Sequence, residues 1–391
     1  MTSASIVGIG TTEYFRRGKS LPASPLELAT TAVMRALDDA GLTVKDIDGF
    51  ASFAGGLDTA RVAQCLGVPD VRFTATQQGG GGGSAGSIGL AAAAIDAGKA
   101  DVVVSVTALQ QAAYRLGRGD ATSGPYAPGT TADLDFSLPF GMVGPAHKYA
   151  MIARRHMELY GTKREHFGEI AVSTRANAIR RSTSVMKKPL TMEDYLSSKM
   201  LSDPLCVFDF CLESDGAVAV ITTSAERARD LKQKPVRVLG AESGGEGRNS
   251  VIWAWANSPA DYITSAAHGA VARRLWNSTG RSAQDVDVAL LYDHFAPMVL
   301  FTLEDYGFCK KGEAGPFVEA GNIRFDGGSI PVNTHGGNLS EAYIMGMTHI
   351  VEGVEQIRGT AVNQVAGAEI ALVTGAPAAI PMSAILLGRD A

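Results

Sequence analysis

Residues 41–48 read GLTVKDID, and residues 280–287 read GRSAQDVD. Each stretch follows an amphipathic helical pattern and leads into an apolar strand. Gly41, Asp46 and Asp48 match Gly280, Asp285 and Asp287 at a constant offset of 239 residues. The helix before the first stretch has a capping box in Ser24-Pro25-Leu26-Glu27 and closes at Gly41, a residue that accepts a left-handed backbone. Further on, each copy has a glycine-containing loop followed by a long predicted helix. The first pair is Gly79–Gly83 before Ser84–Gly98, and the second is Gly336-Gly337 before Leu339–Arg358. Two duplicated α/β halves meeting near residue 235 account for both matches.

Strand candidates in the first half are Ser5–Gly8, Asp48–Phe53, Val71–Ala75, Asp101–Thr107 and Ala217–Thr222. In the second half they are Val236–Gly240, Val286–Tyr292, Ile370–Val373 and Met382–Leu387. Strands mixed with helices in this order predict a layered α/β architecture. The expected organisation is an N-terminal half, residues 1–234, and a C-terminal half, residues 235–391. An insertion occupies about residues 110–205 of the first half. It opens on the Gly/Pro/Thr-rich stretch Gly117–Thr130 and continues as charged helices over His147–Tyr160 and Arg164–Arg180. Insertions of this size shape binding sites or oligomer contacts.

Hydrophobic residues make up 46% of the chain, which excludes disorder as a global description. The net charge is −5, and cations cluster only in pairs such as Arg16–Arg17 and Arg180–Arg181. That excludes a nucleic-acid groove, which needs grouped cations. No apolar run is long enough to span a membrane, and the opening MTSASIVGIG lacks the regions of a signal peptide. The four cysteines, Cys65, Cys206, Cys211 and Cys309, have no metal-type spacing and are too few to staple 391 residues. A reducing, cytoplasmic setting without a metal site is expected.

Gly8-Ile9-Gly10 follows a strand, but Glu13 stands where a dinucleotide loop needs its third glycine, and no helix opens there. No GxSxG elbow is present, and the seven histidines form no HxH or HxxxH pair. The five glycines Gly79–Gly83 are different. They precede a helix, where exposed backbone N–H groups and the positive helix end can hold an oxyanion. Tyr292 ends an apolar run beside Asp293-His294, at the kind of polar strand end where α/β enzymes place chemistry. Tyr343 falls near the start of the predicted helix Leu339–Arg358, whose terminus favours negative charge. Read alone, each tyrosine suits a packed core as well as a site. His335, in Asn333-Thr334-His335-Gly336-Gly337, is the other histidine expected near a site.

At these residues the chain resembles the thiolase superfamily, in particular the sterol-carrier-protein-type thiolases and lipid-transfer proteins. The resemblance runs through nearly the whole chain, including Gly98-Lys99-Ala100-Asp101, Glu213-Ser214-Asp215-Gly216-Ala217, and Asn333 with Gly336-Gly337. It implies a five-layer αβαβα sandwich of two duplicated βαβαβαββ halves with a loop-domain insertion, usually dimeric. The catalytic positions depart from the family. The acyl-accepting cysteine falls at Gly81, the strand-end histidine or asparagine at Tyr292, and the Gly-His-Pro histidine at Tyr343. No cysteine follows Cys309, so the second thiolase cysteine is missing too.

With tyrosines at both positions, the pattern looks like the bacterial steroid side-chain-cleaving aldolases, a match strengthened by YDHF, YGFCKKGE and NTHGGNLSEAY. That group implies retro-aldol cleavage of a β-hydroxyacyl-CoA, giving a 17-keto steroid and propionyl-CoA. One tyrosine acts as base and the other as acid, with the helix terminus favouring Tyr343 as base. The enolate donors are the N–H groups of Gly81 and Gly375, and His294, Asn333 and His335 are supporting residues. The resemblance implies no cofactor beyond the CoA of the substrate, and a homodimer working with a small OB-fold subunit that binds acyl-CoA. An inactive acyl-CoA- or lipid-binding scaffold and an aldolase for non-steroid thioesters are the competing expectations.

Overall fold

The computed structural model describes residues 4–53, 57–77, 80–112, 138–142, 144–246, 264–376 and 381–389. The stretch Gly117–Thr130 lies outside them, as does Gly79. The strands are β1 (Ala4–Thr11), β2 (Phe15–Arg16), β3 (Gly49–Phe53), β4 (Phe73–Gln77), β5 (Val102–Leu109), β6 (Met200–Ser202), β7 (Leu205–Cys206), β8 (Ser214–Ser224), β9 (Val236–Gly244), β10 (Val288–Leu290), β11 (Ile370–Thr374) and β12 (Met382–Arg389). The helices are α1 (Pro25–Ala40), α2 (Thr59–Leu66), α3 (Gly83–Asp96), α4 (Pro145–Tyr160), α5 (Arg164–Ala178), α6 (Met192–Ser197), α7 (Ala225–Ala228), α8 (Gly269–Thr279), α9 (Ala296–Asp305), α10 (Ala314–Glu319) and α11 (Met347–Arg358).

The main sheet runs β10-β11-β12-β9-β1-β8-β5-β3-β4, with β2 pairing on β8. Outward from the β1–β9 junction, the two sides repeat. β1-β8-β5-β3 faces β9-β12-β11-β10, with a parallel step at β3–β5 and at β10–β11 and antiparallel steps elsewhere. Among the described residues β4 has no strand counterpart in the other half; a parallel bridge between Ala289 and Val332 stands in its place. β1 and β9 pair over just two residues, so the half-sheets join at an edge. α1 packs outside β1, β8 and β5, and α8 packs outside β9 and β12. α3 contacts strands of both halves, and α11 lies beside it against β10, β11 and β12. The order is therefore helix, sheet, helix pair, sheet, helix: the expected five layers.

The repeated aspartates have a structural reason. Asp48 accepts the N–H groups of Asp101 and Val102 at the start of β5. Asp287 accepts those of Glu369 and Ile370 at the start of β11. Asp46 and Asp285 complete capping boxes with Thr43 and Ser282, and Gly41 and Gly280 are left-handed at φ 73° and 65°.

Three expectations change. The strand predicted at Val71–Ala75 runs Phe73–Gln77, and the one predicted at Val286–Tyr292 shortens to Val288–Leu290, leaving Tyr292 beyond its end. The long helix Leu339–Arg358 does not form. A π-turn covers Gly337–Glu341, Ala342 is extended, and α11 starts at Met347. Tertiary partners hold the segment on another path: Asn338 and Leu339 donate to the Asp293 carboxylate, and the Tyr343 N–H, which a helix would direct at the Leu339 carbonyl, donates to Ser214 Oγ. Met345 and Gly346 then sit at φ 50° and 83°. The insertion's described part carries α4, α5, α6 and the β6–β7 hairpin.

Candidate active site

Tyr292 leaves β10 into a tightly held bend. Asn333, itself at φ 47°, accepts the Leu291 N–H and donates to the Leu291 carbonyl, both at 2.8 Å. The Tyr292 N–H donates to Thr374 Oγ1 on β11 at 3.0 Å. The buried Asp293 carboxylate accepts from the π-turn and from His349 Nε2 at 3.0 Å, which also points at the Leu291 carbonyl at 3.1 Å. Both acceptors require a proton on Nε2. The His349 ring lies 6.1 Å from the Tyr292 ring at 20°.

The buried Tyr292 ring is wedged between two glycines. A Cβ at Gly81 would strike its hydroxyl, and one at Gly346 would come within 2.7 Å of its ring. Gly81 sits in the 3₁₀ turn Gly80–Gly82 that opens α3. Its carbonyl accepts from Ser84 Oγ at 2.8 Å, while the Gly82 carbonyl accepts from Ser383 Oγ at 2.5 Å and Gln77 Nε2 at 3.2 Å. The half-buried Tyr343 arrives from the other half's helix connection, and its hydroxyl lies 3.2 Å from that of Tyr292. Two residues 51 positions apart in sequence thus share a hydrogen bond over the start of α3.

The other expected residues divide. The His294 ring stands 5.3 Å from Tyr292 and edge-on to Tyr149 at 4.5 Å. Burial pushes its imidazole down to about 3, so it stays neutral. Asn333 acts on the backbone before Tyr292. His335 is fully buried, neither ring nitrogen has a hydrogen-bond partner among the described residues, and its ring contact is with His349 at 4.7 Å. Burial holds it far below the usual imidazole range. The Gly375 N–H donates to the Ser383 carbonyl at 2.7 Å, which removes it from the enolate-donor set. Nor does a helix terminus favour Tyr343 as base, because α11 begins four residues later.

A side chain at Gly81 would need the space of the Tyr292 hydroxyl. Burial raises the thiols of Cys206, Cys211 and Cys309, the last to about 12. Among the described residues, no group of three or more His, Cys, Asp and Glu side chains could hold a metal ion. No described helix is long and apolar enough to cross a membrane.

The duplicated five-layer fold has counterparts. Residues 250–387 match the thiolase C-terminal domain-like family. The chain is 42% identical to the 17-hydroxy-3-oxo-4-pregnene-20-carboxyl-CoA lyase of Mycobacterium tuberculosis, over 98% of this chain and 99% of that protein. It is 39% identical to the steroid side-chain-cleaving aldolase of Thermomonospora curvata, over 99% of this chain and 98% of that one. The chain belongs to the steroid side-chain-cleaving aldolases of the thiolase superfamily. A solved Ltp2-ChsH2(DUF35) aldolase superposes on this aldolase with a TM-score of 0.91 at 38% identity, covering 99% of this chain and 98% of that one. The aldolase is a carbon–carbon lyase. Sequence reading missed His349 and the scaffolding role of Asp293. The signal was His349 and Glu352 beside the apolar Met347, Ile350, Val351 and Val354 of MTHIVEGVEQI, where buried polar groups need partners.

Proposed function

We propose that this aldolase cleaves a β-hydroxyacyl-CoA with a tertiary alcohol on a steroid ring into a 17-keto steroid and propionyl-CoA. The observation that carries the mechanism is the 3.2 Å hydroxyl–hydroxyl contact of Tyr292 and Tyr343 beside Gly81. The names of the two similar enzymes support the substrate class.

Tyr292 is the base. The first turn of α3 has N–H groups without carbonyl partners inside the helix, and its dipole favours an anion. The Tyr292 hydroxyl lies against that turn and donates to the Tyr343 hydroxyl at 3.2 Å; once Tyr292 is ionised, the Tyr343 O–H turns to donate to its anion. The tyrosinate removes the alcohol proton, the bond between Cα and Cβ breaks, and the electron pair enters the thioester enolate. The N–H near Gly81 steadies that enolate. Tyr343 then protonates Cα, and the Tyr292 proton crosses the shared hydrogen bond to restore the starting state. Protons and electrons balance within the substrate and two side chains, so no cofactor is required.

The similar Ltp2-ChsH2(DUF35) aldolase supports a partner subunit; in the proposed working complex a homodimer of this chain binds a small OB-fold subunit that holds acyl-CoA. The test incubates the chain, with and without such a subunit, with several β-hydroxyacyl-CoA thioesters and follows ketone and acyl-CoA by chromatography. Ketone and propionyl-CoA in equal amounts from the steroid thioester are expected. Cleavage confined to non-steroid thioesters would overturn the substrate, and no cleavage with the subunit present would overturn the reaction.

A further inference from the structure

Arg181 lies just beyond α5, in the insertion, and is buried at 7% exposure. Its Nε donates to Glu341 at 2.9 Å, and its Nη1 donates to Glu352 at 2.7 Å and to Glu355 at 3.0 Å. Glu341 ends the π-turn two residues before Tyr343, and Glu352 and Glu355 are on α11, which follows it. One guanidinium therefore ties both ends of segment 342–346. The chain after Arg181 adds to the hold. Thr183 Oγ1 donates to Glu341 at 3.0 Å, and the N–H groups of Val185 and Met186 donate to the carbonyls of Glu341 and Ser340.

The bound segment has no regular structure and includes Met345 at φ 50°. Such a conformation persists only where its surroundings over-determine it. Three carboxyl groups around one guanidinium is a costly way to fill a core, since buried charges lose hydration that apolar packing would not forfeit. Burial and mutual repulsion push Glu341 and Glu355 up to about 7. We propose that Arg181 is a positioning residue that holds Tyr343 against Tyr292. This rests on the paired-tyrosine reading above.

The experiment compares Arg181→Lys, Tyr343→Phe and the double variant in the complex by kcat, KM and thermal midpoint. Lysine keeps the charge but cannot fork between Glu341 and the α11 carboxylates. A displaced reacting group of about 1 Å predicts a fall in kcat of about 10- to 100-fold with KM within about threefold. The double variant should be no slower than Tyr343→Phe alone. A folded Arg181→Lys with wild-type kcat overturns the inference, as does an equal fold-loss in the Tyr343→Phe background. Tyr343→Phe at the wild-type rate overturns the paired-tyrosine reading itself. If Arg181→Lys does not fold, Glu341→Gln makes the same comparison, with wild-type kcat again the overturning result.

Discussion

At the scale of single residues, Gly81 and Tyr292 constrain each other: the Tyr292 hydroxyl fills the space a side chain at position 81 would need. The sequence singled out both tyrosines and Gly81, because the resemblance places a different functional group at each, and the structure brings the three together. Their roles were not legible, because those depend on which phenol lies against a helix end. Tyr292→Phe and Tyr343→Phe should each lower kcat by about 10²–10⁴ while the fold is kept; two folded variants at near-native turnover would rule out the mechanism. Gly81→Ala should cost about 1–3 kcal/mol from overpacking and remove most turnover by displacing the Tyr292 ring. Thermal midpoint and kcat on one sample check this, and an active, fully stable alanine variant contradicts the wedge.

At the scale of elements, the repeated aspartates pin strands. Asp48 and Asp287 each take backbone donors at the start of a neighbouring strand, which is why they recur at the same place in both halves. Asp48→Ala and Asp287→Ala should each cost about 1–3 kcal/mol by stranding those donors, measured by chemical denaturation; a change below experimental error would refute the account. The same elements show where local pattern fails. Leu339–Arg358 has helical spacing, yet Ser214 takes the Tyr343 N–H that a helix would direct at the Leu339 carbonyl, and its first residues form a π-turn held on Asp293 and an extended connection. The misjudged element is the one that carries Tyr343.

Across the whole molecule, the insertion and the C-terminal half meet at Arg181, Glu341, Glu352 and Glu355, with Thr183 and Tyr14 alongside. Glu341 is raised from the ordinary 4.5 to about 7 by burial. A carboxyl group raised on folding favours the protonated folded state, so its contribution is full below about 4.5 and is lost as pH rises through about 7. Glu341→Gln cannot lose it. The variant's thermal midpoint relative to wild type should therefore rise between pH 5 and about 8; a pH-independent difference would show that Glu341 does not titrate in this window. Sequence alone determined the duplication, the layered class and the absence of any cysteine between Cys65 and Cys206, because periodicity, capping and residue identity are local. Only the tertiary structure decided that residues 51 apart share a hydrogen bond, that the Gly375 N–H is already taken, and that α3 rather than α11 offers its N-terminus to a phenol. Those outcomes depend on which distant groups reach a backbone donor first, and spacing along a chain does not encode that competition.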